Sequence, residues 1–270
     1  MIKIITKFYI IFLLITLSAC ETSQSINQDT NKNKVSIETL RITKNTEIIG
    51  TVDSLGIYKW LGIPYAEKPI NNLRWRATRE LKNYDKKYEA VSFAEPCVQF
   101  QSSLTNNGLV KPGAVVGSED CLYLNIYSPA FSKNSILNDN IKLPVMVWIH
   151  GGGNTTGMPS EYNPEVFVRS EEIIFVSIAY RLGIFGWLSH PELREQEGED
   201  SSSNFGLLDQ IMALKWIKEN IQFFGGDPNN ITIFGESAGG QNVIALYSSP
   251  LARGLFDKAI SQSGGTNVTF

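Results

Sequence analysis

From about residue 39 the chain alternates between short apolar blocks and polar connections, and the period of the blocks changes along it. Residues 40–43, 47–49 and 57–60 are three brief apolar, β-branched runs, with turn residues Asp53 to Gly56 ahead of the third. Runs so short and so close predict antiparallel strands. Gly62-Ile63-Pro64-Tyr65-Ala66 then reads as an irregular loop whose shape the proline fixes. Residues 122–127 form another strand pattern. Residues 143–149 and 172–178 are almost continuously apolar, the mark of strands covered on both faces. At residues 204–221 the period becomes helical. Leu207, Ile211, Leu214, Ile217 and Ile221 fall on one stripe, which predicts an amphipathic helix with that stripe in the core. A short strand at 231–234, a helix at 239–247 burying Val243, Ile244 and Leu246, and a last strand at 259–263 complete the pattern. Buried strands alternating with helices predict an α/β fold, with a mostly parallel central sheet and antiparallel strands at its N-terminal edge.

The first 38 residues follow a different rule. Lys3 and Lys7 precede an apolar run from Phe8 to Ile15, and Leu17-Ser18-Ala19-Cys20 follows. The run is too short to span a bilayer comfortably and has the shape of an export signal. Leu-Ser-Ala-Cys resembles the lipobox of bacterial lipoproteins, so residues 1–19 are expected to be a lipoprotein signal peptide and Cys20 an acylated N-terminus. A plain signal peptide with an incidental cysteine is the alternative. Acyl chains on Cys20 would attach the protein to a membrane, each buried CH₂ contributing ~0.8 kcal/mol. Glu21 after the cysteine points towards an outer-membrane or cell-surface location. Residues 20–38 are polar and read as a flexible tether, leaving residues 39–270 as the folded part.

Composition is that of an ordinary globular chain, 43% hydrophobic and 19% charged, with a net charge of −3 and no basic patch. Nucleic acid is therefore not an expected partner. No metal-ligand constellation, phosphate-binding loop or dinucleotide fingerprint is present, so no metal or cofactor is expected. Cys97 and Cys121 remain after Cys20. In an exported chain they read as a disulfide, with two free buried thiols as the alternative.

Gly235-Glu236-Ser237-Ala238-Gly239 is a G-x-S-x-G between the predicted strand at 231–234 and the predicted helix at 239–247. Alone the pattern is weak, since chance supplies it in roughly one chain in ten of this length. Strand, sharp turn and helix together are the context of a nucleophile elbow, where a strained serine lifts its hydroxyl clear of the sheet. Side chains at Gly235 and Gly239 would collide with that turn. The strand at 143–149 ends in His150-Gly151-Gly152-Gly153. Glycines there leave backbone amides able to approach a ligand closely. With an elbow in the same chain, those amides suit a developing oxyanion. A flexible glycine turn is the plainer alternative.

With these residues in place the chain resembles the type-B carboxylesterase/lipase family, the cholinesterase-like α/β-hydrolases. The resemblance rests on Glu119-Asp120-Cys121-Leu122-Tyr123-Leu124-Asn125-Ile126-Tyr127-Ser128-Pro129 and on the stretch 224–240. Gly62 to Ala66, then Asn204, Gly206, Leu207, Asp209 and Gln210, and Gln262-Ser263-Gly264 support it. It runs from about residue 40 to Phe270. It implies an α/β-hydrolase fold and hydrolysis of a small carboxylic ester through a serine acyl-enzyme. It implies Ser237 as nucleophile, Gly152, Gly153 and Ala238 as oxyanion donors, and Glu236 as an acidic group lining the pocket. It also implies a Cys97–Cys121 disulfide and the ion pairs Arg74–Glu119 and Arg181–Asp209. Asn154 departs from the family, which usually has an aromatic after the third glycine. That departure is expected to alter the pocket wall and leave the hole intact.

A second departure is larger. In α/β-hydrolases the acid and the histidine follow the serine. The 33 residues after Ser237 hold no histidine, and their one acid is Asp257, in a segment that reads as a connection. The two histidines, His150 and His190, precede the serine and are expected to be turn residues, not the base. Family members are longer, and their remaining part carries further strands, the acid and the base. The expectation is therefore the N-terminal part of a carboxylesterase domain, truncated after the strand that follows the nucleophile helix and inactive alone. That last strand would then be an open apolar edge. The chain would be a truncated product, or half of a split enzyme completed by a second chain. A non-catalytic surface-binding module is the remaining alternative, although such modules tend to lose the nucleophile.

Overall fold

The computed structural model describes residues 35–82, 85–101, 113–131 and 141–265. The export signal, Cys20 and the tether up to residue 34 lie outside the described residues. The fold begins slightly earlier than the pattern predicts, with a 3-10 turn at Ile37–Thr39. The cause is Thr39, which is fully buried. Its hydroxyl donates to the carbonyl of Ser36 and accepts the amide of Gly50.

The strands are β1 (Arg41–Ile42), β2 (Glu47–Ile49), β3 (Thr51–Val52), β4 (Tyr58–Pro64), β5 (Lys87–Glu89), β6 (Gln99–Phe100), β7 (Val115–Val116), β8 (Tyr123–Ser128), β9 (Leu143–Ile149), β10 (Ile174–Ile178), β11 (Gly226–Glu236) and β12 (Lys258–Gln262). The α-helices are α1 (Glu165–Glu171), α2 (Gly183–Trp187), α3 (Pro191–Arg194), α4 (Phe205–Asn220) and α5 (Ala238–Ser248). Seven strands form one sheet in the order β12-β11-β9-β10-β8-β4-β3. From β12 to β10 every pair is parallel, and from β10 to β3 every pair is antiparallel. This is the predicted α/β architecture. β10 is buried at all five positions, as its continuous apolar run requires.

Three expectations need correcting. The early strands are not one antiparallel group. β3 and β4 join the main sheet, while β1, β2 and β5 form a separate sheet in which β2 and β5 run parallel. Gly62, Ile63 and Pro64 are strand, not loop. The register of β4 against β8 slips between Trp60 and Ile63, and Gly62 sits at the slip with φ +74°. Its amide donates to Asn125 Oδ1 at 2.9 Å, which replaces the lost ladder bond. The third correction concerns α4, which is enclosed on more than one face. Leu208, Ala213 and Trp216 are buried beside Ile211, Leu214 and Ile217, and Leu207 is only half-buried. Trp216 and Asn220 line a cleft with Thr43 and Ile48, so the small sheet lies near a second side of the helix. In α5, likewise, Val243 and Leu246 are buried, Ile244 is half-buried, and the polar Asn242 occupies a buried position.

Polar cross-links hold these layers together. Arg181, just after β10, makes a bidentate ion pair with Asp209 on α4, with Nη2–Oδ1 and Nε–Oδ2 both 2.8 Å. The two side chains are 3% and 0% exposed. The Arg74–Glu119 pair forms as well, and it stands in solvent. Cys97 and Cys121 are joined by a disulfide. At the far side of the sheet, β12 is exposed along its whole length and pairs with β11 alone among the described residues.

Candidate active site

β11 passes into α5 through Ser237, whose backbone has φ 54° and ψ −120°. An L-residue occupies this conformation only when its surroundings enforce it. The amide of Ser237 donates to the Gln262 carbonyl at 2.9 Å, and its own carbonyl accepts the amide of Gln241 at 3.0 Å. The flanking glycines are required by contact. A Cβ on Gly235 would lie 2.6 Å from the Ile149 oxygen, and one on Gly239 only 2.1 Å from it. One on Gly240 would lie 2.7 Å from the Gln262 oxygen. The elbow is thus wedged between the C-terminal ends of β9 and β12. Ser237 is half-exposed, and among the described residues its hydroxyl makes no hydrogen bond.

The glycine loop after β9 lies against this serine. A Cβ built on Gly151 would be 3.4 Å from the Ser237 Cβ and 3.2 Å from Glu236 Oε2. Glu236 itself is exposed. Gly152, Gly153 and Asn154 then follow with φ values of 92°, 64° and 55°. This left-handed run curls back so that the Gly152 carbonyl accepts the amides of both Thr155 and Thr156. Among the described residues, the amides of Gly152, Gly153 and Ala238 donate to no backbone carbonyl. The structure therefore sets Gly151 against Ser237 and Glu236, with Gly152 and Gly153 next along the loop and Ala238 next after the serine. Unpaired amides beside a presented hydroxyl can stabilise negative charge on a carbonyl oxygen that the hydroxyl attacks.

The remaining polar groups have other tasks. Asn154, the departure from the family pattern, is turned inward. It is 5% exposed, and its side chain turns onto α5. There Asn242 Nδ2 donates to Asn154 Oδ1 at 2.9 Å, and Asn154 Nδ2 approaches Asn242 Oδ1 at 3.5 Å. Gln99, on β6, grips the outer limb of the loop. Its Oε1 accepts the Gly157 amide and the Thr156 hydroxyl, both at 2.7 Å, and its Nε2 donates to the Gly157 carbonyl at 2.9 Å. The sequence reading misses both Asn242 and Gln99. For Asn242 the signal was there, as a polar residue one helical turn after Ala238 on a face otherwise apolar. For Gln99 there was none.

His150 is 1% exposed, its ring stacks on Tyr180 at 4.4 Å, and its Nδ1 lies 2.9 Å from the Gly151 oxygen. Burial pushes its pKa down to about 4, so the imidazole is neutral. His190 caps α3, accepting the Glu192 amide. Neither imidazole is hydrogen-bonded to Ser237, in line with the expectation that they are turn residues. Asp257 accepts the Ile231 amide and fixes the approach to β12. Glu161 sits near Glu236, and its carboxyl is shifted upward by burial and then by that neighbour's charge.

The comparisons with known proteins agree with this geometry. Residues 36–270 match the model of the carboxylesterase family. The para-nitrobenzyl esterase of Bacillus subtilis (strain 168) is 42% identical over 229 residues, which cover 84% of this chain and 44% of that protein. Liver carboxylesterase 1F of Rattus norvegicus is 41% identical, over 87% of this chain and 40% of its own. A solved structure of PNB esterase superposes with a TM-score of 0.75 at 38% identity, covering 86% of this chain and 45% of the other. The Geobacillus stearothermophilus carboxylesterase EST55 gives a TM-score of 0.69 at 39% identity, covering 82% of this chain and 42% of the other. The chain spans less than half the length of each of these relatives. With its α/β-hydrolase sheet, its strained serine and its glycine loop, this chain belongs to the carboxylesterase family.

Proposed function

We propose that the chain carries the nucleophile and oxyanion hole of a serine carboxylic ester hydrolase. The carrying observation is the strained Ser237 set against the left-handed glycine loop. In this reading Ser237 Oγ attacks the carbonyl carbon of a small ester and gives up its proton to a base. The amides of Gly152, Gly153 and Ala238 hold the tetrahedral oxyanion. The alcohol leaves, and water then releases the acyl group from Ser237. A single donor in such a hole contributes about 10²–10³ in kcat. The intact serine and hole argue against a non-catalytic binding module.

A serine hydroxyl near neutral pH needs an adjacent base. Neither imidazole of this chain bonds to Ser237, and in this reading the base is supplied from elsewhere, by further residues of a longer protein or by a second polypeptide. Losing the base of a serine hydrolase costs on the order of 10⁶ in kcat. The purified 270-residue chain is therefore expected to turn over p-nitrophenyl acetate almost undetectably. Residues 36–270 fused to the C-terminal part of the Bacillus para-nitrobenzyl esterase should recover turnover, and Ser237→Ala should abolish it. A folded fusion in which a fluorophosphonate never labels Ser237 would overturn the assignment. Turnover by the isolated chain at the rate of a complete esterase would overturn the need for an outside base.

The lipobox-like Leu17-Ser18-Ala19-Cys20 supports a membrane-anchored lipoprotein in the same reading. In a bacterial host fed a clickable palmitate analogue, the full chain should take up label and Cys20→Ser should not. Equal labelling of the two would remove Cys20 as the anchor.

A further inference from the structure

The proposed hole draws donors from two separate elements, with Gly152 and Gly153 on the loop after β9 and Ala238 at the start of α5. One oxyanion can be held by both only if their separation is fixed to about half an ångström. The β9–β11 backbone ladder joins the two elements as far as the Ile149–Gly235 pair and stops short of the donors themselves. The Gly152 carbonyl is used inside its own loop, and the Ser237 amide is tied to Gln262 on β12. A side-chain pair does bridge the remaining gap. Asn154 directly follows Gly153, and Asn242 lies four residues after Ala238, one turn further on the same face of α5. Their amides face each other at 2.9 and 3.5 Å, with 5% and 3% of the residues exposed.

We infer that the Asn154–Asn242 amide pair is a positioning device that sets the distance between the loop donors and the helix donor of the hole. This rests on the oxyanion-hole reading above. Asn154 is held from its backbone side as well, since its carbonyl accepts the Gly183 amide at 2.7 Å. Its φ of 55° is one that asparagine tolerates better than most side chains. With the backbone pinned there, the side chain faces α5. A hydrogen bond fixes length and angle, whereas an apolar contact across the same gap would be non-directional. The two asparagines touch no substrate atom in this scheme and act through Gly153 and Ala238.

The test uses the full 270-residue chain with Asn154→Ala, Asn242→Ala and the double variant. Acylation of Ser237 by p-nitrophenyl acetate is followed by intact-protein mass over a range of ester concentrations. Each single change should lower the limiting acylation rate about tenfold. The half-saturating ester concentration should shift less than about twofold. The double variant should be no slower than the slower single, because either change alone breaks the tie. Effects that multiply in the double variant would overturn the inference. Hydrogen exchange read by mass spectrometry supplies a measurement that needs no acylation. Asn242→Ala should speed exchange in residues 150–157, and Asn154→Ala in residues 238–242, each across the gap. If the missing base leaves even the wild-type chain unacylated, the exchange result alone decides the tie, and the reading of the site is judged by fluorophosphonate labelling of the fusion. Exchange changes confined to the substituted element would overturn it.

Discussion

At the scale of single residues, the site is built from positions where a side chain would not fit or a charge would not survive. Ser237 keeps a backbone conformation that costs about 1–3 kcal/mol by itself. Gly235 and Gly239 allow it by letting the Ile149 carbonyl come within a distance no Cβ permits. This part was legible in the sequence, because glycine spacing reports backbone constraint directly. The role of His150 was legible only in outline. Its neutrality follows from burial, which a sequence does not display, and it has a consequence for stability. The folded-state pKa is lowered to about 4 from an ordinary 6.5. As pH falls below 6.5 the unfolded chain takes up the proton and the folded chain does not. Stability should therefore decline between pH 6.5 and 4, by about 3 kcal/mol for this group. Urea unfolding of wild type and His150→Gln from pH 7 to 4.5 checks this. The advantage of the wild type should shrink as pH falls, and a pH-independent difference would remove His150 from the response.

Elements were legible where one period dominated. β9 and β10 announce themselves as continuous apolar runs, and β11, elbow and α5 as strand, turn and helix. The bulge at Gly62 hid half of β4, because a slipped register breaks the alternation that marks a strand. The parallel partner of β2 was hidden for another reason, since β5 is three residues long and mostly exposed. In α4 the one-stripe reading assumed solvent on the other side, where the small sheet lies instead. The Arg181–Asp209 pair shows what joins such elements. Asp209 accepts from Arg181 through both oxygens, from the Arg181 amide and from the Thr78 hydroxyl, with no solvent to replace any of them. Asp209→Asn keeps the volume and leaves a buried guanidinium without its counter-charge. It should lower unfolding stability by about 3–5 kcal/mol. Arg74→Ala, which removes the solvent-facing pair, should leave the urea midpoint almost unmoved. Equal losses in the two variants would show that burial does not set the strength of these pairs.

For the whole molecule, the Cys97–Cys121 disulfide reaches further than loop closure. On the chain-entropy model, closing a loop between cysteines 24 residues apart contributes about 3–4 kcal/mol. Gln99 adds a second effect. It sits two residues from Cys97, its Nε2 also donates to the Cys97 carbonyl at 2.9 Å, and its other bonds run to Thr156 and Gly157. The disulfide thus holds β6, β6 carries Gln99, and Gln99 holds the limb of the loop that presents Gly152 and Gly153. The cysteine pairing could be expected from the sequence, but the link to the hole could not, because it runs through one glutamine carboxamide. The two effects separate experimentally. Cys97→Ser with Cys121→Ser should cost about 3 kcal/mol in urea unfolding and should speed hydrogen exchange in residues 150–157. Gln99→Leu, with the disulfide intact, should speed exchange in the same residues by a comparable factor while losing less stability, since loop closure is retained. If exchange there is unchanged when the cysteines are removed, the loop is held without help from the disulfide, and its contribution is to stability alone.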